Sequence, residues 1–227
     1  MLRTTFVLDY QNVHLTARDV FCPSQDAHHA LIHPIRFAQA ALRARNAGQR
    51  PGFEPATLGR VLTYRGLSHV DHDSEQNARC QAQAQEWQRA GAHVVLRDLK
   101  YDLQRDTSGS PVRTVNGKTI PIGRGREKGI DVLCALACVR EARADDVELV
   151  VLASRDSDLV PVLDEVFDMR GSDPSVAKIE TVTWHLRVPG GRPRGGGSLR
   201  PGAPRRIWNT NLDRTVFTAS RDLKAYT

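Results

Sequence analysis

The sequence predicts an α/β fold: a mostly parallel central sheet with helices on both faces. Three observations carry this. Short β-rich apolar runs alternate with longer segments of helical periodicity along the 227 residues, and that alternation implies crossover connections and a parallel sheet. The run "DVELVVLAS" (146–154) is apolar without clean alternation, as in a strand covered on both faces. The helical segments carry apolar residues at i, i+3 and i+4 spacing between recognisable stop signals.

Taken in order, "TTFVLDY" (4–10) reads as the first strand and is followed by a polar loop. "HPIRFAQAALRARNAG" is a helix closed by Gly48, a residue type favoured beyond helix ends. "LGRVLTYRGL" is the second strand, and "SEQNARCQAQAQEWQRAG" a helix with Ser74 as its cap and Gly91 past its end. "HVVLRDLKYD" is the third strand. Asn116-Gly117 in "PVRTVNGKTIPI" marks a hairpin, whose polar and basic arms predict projection from the main sheet. "GIDVLCALACVREARA" is a helix, and the strand "DVELVVLAS" follows. "DSDLVPVLDEVFDMR" returns to helix, with Pro161 accepted in its first turn. "AKIETVTWHL" is the last long strand, and "RIWNTNLDRTVFTASRDLKAYT" supplies a short strand or turn and a terminal helical piece.

Composition narrows the function classes. The net charge is +6, but residues 187–206, "RVPGGRPRGGGSLRPGAPRR", hold six arginines and no acid, so the remainder nets zero. A Gly/Pro/Arg segment buries too little side chain to offset its ordering entropy, so residues 186–206 are expected to be flexible and to attract a polyanion. Residues 1–185 form the expected catalytic domain, and 207–227 a strand and helix packing back on it. The apolar run before Asp9 is too short for a signal peptide, and no stretch approaches the roughly 20 apolar residues of a membrane span. A soluble, cytoplasmic protein with no membrane partner is expected. The cysteines, Cys22, Cys80, Cys134 and Cys138, form no C-x-x-C pair. Cys134 and Cys138 lie one helical turn apart and fit an apolar face.

The carboxylates point to chemistry. In parallel sheets polar function collects beyond the carboxyl ends of strands, and Asp9 ends the first strand there. The strand "VVLAS" ends at Ser154 and is followed by Asp156 and Asp158. Acids so placed would repel one another unless a cation lay between them. Asp131, in the first turn of its helix, adds a third segment. Such an oxygen-rich set suits Mg²⁺ or Mn²⁺, and hydrolysis by attack of a metal-activated water needs no histidine. Asn12 orients Asp9 or contacts phosphate, or else caps a turn. Ser154 donates to a carboxylate or phosphate oxygen, or caps. Lys128 with Arg124 or Arg126, and Arg155 beside the acid pair, are the candidates for phosphate contact. Asp71 and Asp73 in "VDHDSE" are further acids expected near the rim, as an added ligand or as preparation for the helix start at Ser74.

These blocks together resemble the NYN domain family of the PIN-like nuclease superfamily. "VLDYQNVH" matches its aspartate-x-x-asparagine at Asp9 and Asn12. "EKGIDVLCAL" matches its lysine-x-x-aspartate helix start at Lys128 and Asp131. "LASRDSDLVPVLDEV" matches its serine-x-aspartate-x-aspartate turn at Ser154, Asp156 and Asp158. The resemblance spans roughly residues 4–185 and extends to the closing "RRIWNTNLDRTVF". Arg155 stands where many members carry glycine. The resemblance implies a three-layer PIN-like (Rossmann-like) fold and a Mg²⁺- or Mn²⁺-dependent endoribonuclease. Its catalytic residues would be Asp9, Asn12, Asp131, Asp156 and Asp158, with the four aspartates as metal ligands. RNA, single-stranded or in structured loops, is the implied partner; single-stranded DNA stays open, as does a homo-oligomer. The alternatives are a non-catalytic RNA-binding or scaffold module and a phosphohydrolase of small substrates.

Overall fold

The computed structural model describes residues 1–226, so only Thr227 of the expected 207–227 piece lies outside the described residues. The elements run β1 (Leu2–Asp9), α1 (Tyr10–Phe21), α2 (Pro34–Gly48), β2 (Ala56–Leu67), α3 (Ser74–Arg89), β3 (His93–Asp98), β4 (Lys100–Leu103) and β5 (Pro121–Arg126). Then come α4 (Ile130–Ala142), β6 (Leu149–Ala153), α5 (Val160–Ser172), β7 (Lys178–Leu186), β8 (Arg194–Gly195), β9 (Asn209–Leu212) and α6 (Arg214–Ser220).

The main sheet runs β3-β2-β1-β6-β7, with β9 beside β7 and the short β8 at its tip. Every pairing is parallel except that of β8 with β7. Strands β1, β2 and β3 advance to one side of β1, whereas β6, β7 and β9 advance to the other. The direction of winding therefore reverses between β1 and β6. That reversal opens a crevice at the carboxyl ends of those two strands, because the following connections leave toward opposite sides.

Phe6, Leu8, Tyr10, Phe37, Trp87 and Trp184 fill one face, under α1, α2, α3 and α6. Val7, Leu62, Val150, Leu152, Cys134 and Leu163 fill the other, under α4 and α5. Val7 and Leu8 thus point to opposite cores, as period-two alternation in a doubly covered strand requires. Gly59 is the extra residue where the β1–β2 register shifts at Thr4/Thr5, and a Cβ there would lie 3.3 Å from the Thr4 carbonyl oxygen. Cys134 and Cys138 are fully buried, in keeping with their expected apolar role. Among the described residues no helix is long and apolar enough to cross a membrane.

Four details differ from the sequence expectation. The polar loop after the first strand is instead the helix α1: Tyr10, Val13, Ala17, Val20 and Phe21 form its buried stripe. The cap of α3 is Asp73, which accepts from Gln76 N at 2.9 Å, rather than Ser74. The third strand is two, with β4 leaving the main sheet to pair only with β5. Residues 186–206, expected to be flexible, lie along the domain. Arg194 and Gly195 pair with β7, Leu199 is buried, Gly202 N donates to Asp164 at 2.7 Å, and Arg205 pairs with Asp168 at 2.5 Å.

The expected hairpin is present as a separate arm. Its tip closes with Thr114 N donating to Lys118 O at 2.8 Å, and Gly117 adopts a positive φ of 77°. That backbone conformation is why Asn-Gly occupies the tip.

Candidate active site

Strand β1 passes straight into α1, and Asp9 serves both elements. Its backbone ends the strand opposite Tyr64, while its Oδ1 accepts the Asn12 backbone N–H at 3.3 Å as the helix cap. Its Oδ2 accepts the Ser154 hydroxyl at 2.9 Å. Ser154 Oγ in turn accepts the Asp156 N–H at 3.1 Å, which fixes the direction in which its own proton points. Asp156 Oδ1 accepts Asp158 N at 3.0 Å, capping the short 3-10 turn that precedes α5. One hydrogen-bonded chain therefore joins the ends of β1 and β6 across the crevice.

Asn12 closes the same crevice through both its side chain and its backbone. Its side-chain oxygen accepts Arg155 N at 2.9 Å, so it fixes the β6–α5 turn, while its backbone fixes Asp9. Asp9 is only 6% exposed. Burial raises its pKa above the usual carboxylate value; the Ser154 and Asn12 bonds oppose that, and the charges of Asp156 and Asp131 add to it. Asp9, Asp131 and Asp156 are therefore within electrostatic reach of one another. Asp158 is not drawn in: it is exposed in the 3-10 turn, and only its backbone N–H bonds into the chain described above.

The loop before α4 supplies an acid that the sequence reading did not single out. Glu127 accepts the backbone N–H of Gly66 at the end of β2. Burial pushes its carboxyl up to about 7, aided by the Asp9 charge and opposed by the Gly66 bond and the Arg65 charge. Gly66 makes this approach feasible, since a Cβ there would lie 2.7 Å from Glu127 Cγ. With the Gln11 amide turned so that its nitrogen faces Glu127, it donates to Oε1 at 2.9 Å. The available signal was an isolated acid in "GRGREKG", two residues before Gly129, whose φ of 79° lets the chain turn into α4. Its basic neighbours, Arg124, Arg126 and Lys128, mask it in the sequence.

The expected phosphate-binding cations divide. Lys128 and Arg124 are exposed, and the Lys128 carbonyl is held by Arg97 Nε at 2.7 Å. Arg126, also exposed, pairs with Asp102 at 2.6 Å across the β4–β5 arm, a surface contact of the weak kind. Arg155 is exposed, and its guanidinium extends toward Gly197, where a Cβ would lie 3.5 Å from Nη2. Asp71 pairs with Lys118 of the arm at 3.1 Å, and Asp73 is the α3 cap, so neither joins the acids.

Among the described residues no three His, Cys, Asp or Glu side chains are gathered as a finished metal site. The donor chemistry nevertheless suits Mg²⁺ or Mn²⁺. These ions retain several waters and need only one or two protein carboxylates, and a cation would favour the charged forms that burial, aided by the neighbouring acids, disfavours at Asp9 and Glu127.

No family model and no curated protein matches the chain. Among solved structures it is similar to the crystal structure of a protein of unknown function from Vibrio parahaemolyticus, at 18% identity over 80% of each chain and a TM-score of 0.42.

Proposed function

We propose that this chain is a metal-dependent endoribonuclease with a PIN-like NYN fold, hydrolysing RNA phosphodiester bonds in the crevice above β1 and β6. The observation that carries the reading is Asp9: a desolvated carboxylate at the point where strand winding reverses, crowded by Asp131 and Asp156. Buried groups perturbed by like charge in a crevice are characteristic of functional sites.

In this reading Asp9, Asp131 and Asp156 hold Mg²⁺ or Mn²⁺ directly or through water, and Glu127 is a fourth acid beside them. The ion, when bound, lowers the pKa of a coordinated water and offsets charge developing on phosphoryl oxygens. Ser154 and the Asn12 backbone keep Asp9 in one orientation, so the carboxylate needs no reorganisation on substrate binding. The Asn12 side chain anchors the turn bearing Asp156. Lys128 and Arg124 draw the phosphate backbone toward the rim, a contact that positions without reading sequence.

The test is incubation of end-labelled RNA and matched DNA with Mg²⁺, Mn²⁺ or chelator, using the wild type, Asp9→Asn and Asp156→Asn. Metal-dependent cleavage lost in both variants is expected. Cleavage that persists in chelator and in both variants would overturn the mechanism, and a folded protein that binds RNA without cutting it would favour an RNA-binding or scaffold module.

A further inference from the structure

A cationic recess, distinct from the acidic crevice, lies under α1 and α3 beside the end of β2. It has a volume of about 520 Å³, within the range of small-ligand sites. Its walls come from α1, α3, the 3-10 turn at Ala27–Ala30 and the tail Arg221–Tyr226. The tail is pinned there by the Ile32–Arg221 bridge and by Asp222 N donating to Leu31 O at 2.8 Å.

Arg65 forms part of the wall and is only 7% exposed. Its guanidinium lies 4.7 Å from the Tyr10 ring centroid and 5.6 Å from that of Trp87, and it donates to Gln83. No carboxylate among the described residues forms an ion pair with it, nor with Arg221. Arg221 gives Nη2 to the His29 carbonyl at 3.1 Å, while its buried Nε has no partner. Buried cations are ordinarily paired; the buried Arg65 and the half-buried Arg221, both without a carboxylate partner and lining one recess, leave an anion position open.

The other charged groups leave the recess net positive. Asp222 keeps one negative charge in the wall, accepting from Trp87 Nε1 at 2.8 Å and from the Tyr226 hydroxyl at 2.7 Å, against the cations Arg65, Arg79, Arg221 and Lys224. Arg79 and Lys224 add cations, shared with Glu75 at 3.1 Å and Glu86 at 2.7 Å, and such exposed pairs are weak. His14 is not a further cation: burial and the neighbouring arginines pull it down to about 4, so it donates Nε2–H to the Ala27 carbonyl at 2.7 Å.

We infer that this recess is a subsite for the terminal phosphate of a nucleic-acid strand whose body continues toward the acidic crevice. The inference rests on the nucleic-acid reading above. A terminal phosphate protrudes and carries up to about two charges, so it enters a recess that an internal diester could reach only by bringing both neighbours with it. Arginine forks match phosphate geometry, and the His28 and His29 rings, 4.0 Å apart between centroids, with Tyr226 offer stacking surface for the first base. Arg65 and Gly66 are consecutive on β2, one facing the recess and the other holding Glu127. Helix α1 spans the two sites, with Gln11 facing Glu127 and His14 lining the recess.

Fluorescence anisotropy in chelator, where metal-dependent cleavage is suppressed, compares a short single-stranded RNA bearing a 5′-phosphate with the same strand bearing a 5′-hydroxyl. The phosphorylated strand is expected to bind roughly tenfold tighter, the scale of one charge-assisted hydrogen bond. Arg65→Gln and the more exposed Arg79→Ala should each shrink that ratio, the second without risk to the core. Equal affinities, or a ratio unchanged in both variants, would overturn the inference. So would a nucleoside monophosphate binding as tightly as the strand, since the recess would then serve a free nucleotide. Cleavage is scored separately with Mg²⁺: a protein that cuts RNA but ignores the phosphate refutes only the subsite. One that prefers the phosphate but never cuts refutes only the nuclease.

Discussion

Glu127→Gln isolates the electrostatic cost of the acidic crevice. The substitution keeps an oxygen for the Gly66 N–H but removes a charge that burial and Asp9 disfavour. The folded pKa, about 7, is raised above the ordinary 4.5, so this carboxyl contributes stability below pH 4.5 that is lost as pH rises through 7. Integrated between pH 5 and pH 8, that difference costs the wild type on the order of 2.5 kcal/mol, and partial exposure makes this an upper figure. For a chain of this size the corresponding shift is about 5–10 °C in Tm. Melts in chelator at the two pH values should show Glu127→Gln gaining on the wild type at pH 8 relative to pH 5. Adding Mg²⁺ should narrow the gap, because a bound cation favours the ionised form. A stability difference between the two proteins that is the same at both pH values would refute the reasoning.

Gly66→Ala should push Glu127 away from the strand end, since the new Cβ would lie 2.7 Å from its Cγ and would clash with Leu99 Cδ2. The pH dependence just described should weaken, and so should metal-dependent cleavage, with the fold retained by circular dichroism. Ser154→Ala strips Asp9 of its hydroxyl donor and leaves the Asp156 N–H without its acceptor. Urea unfolding should register a loss of about 1–3 kcal/mol, together with reduced cleavage. Arg45→Ala breaks the buried pair with Glu180, closed by contacts of 2.8 and 3.1 Å. The pair joins α2 to the start of β7, where Glu180 lies opposite Val151 of β6, away from the strand ends that carry the acids; its loss should cost about 3–5 kcal/mol without altering the metal requirement of the cleavage that remains.

Much was legible in the sequence because the signals are local. Apolar runs of strand length, helical periodicity and the Asn116-Gly117 turn each act within a few residues, and all three appear in the fold as expected. Helix α1 escaped although its stripe was present, because Asp9 ends the strand and caps the helix with no linker between them. Its polar residues, Gln11, Asn12, Thr16 and Arg18, then read as loop. In the Arg/Gly/Pro segment only composition is legible, and Leu199 and Arg205 find partners on β7 and α5 that composition does not reveal.

The sequence by itself determined which residues end the strands, and hence that Asp9, Ser154 and Asp156 would meet at one rim. Strand order is not written locally, and only the tertiary structure decided that β1 and β6 are neighbours. That adjacency lets the Ser154 hydroxyl reach Asp9, turns the Asn12 side chain to the Arg155 backbone, and leaves Asp158 outside. Glu127 depended on the tertiary structure most: burial raises its carboxyl where it docks on the Gly66 N–H, 61 positions earlier in the chain, and no window along the sequence contains that contact.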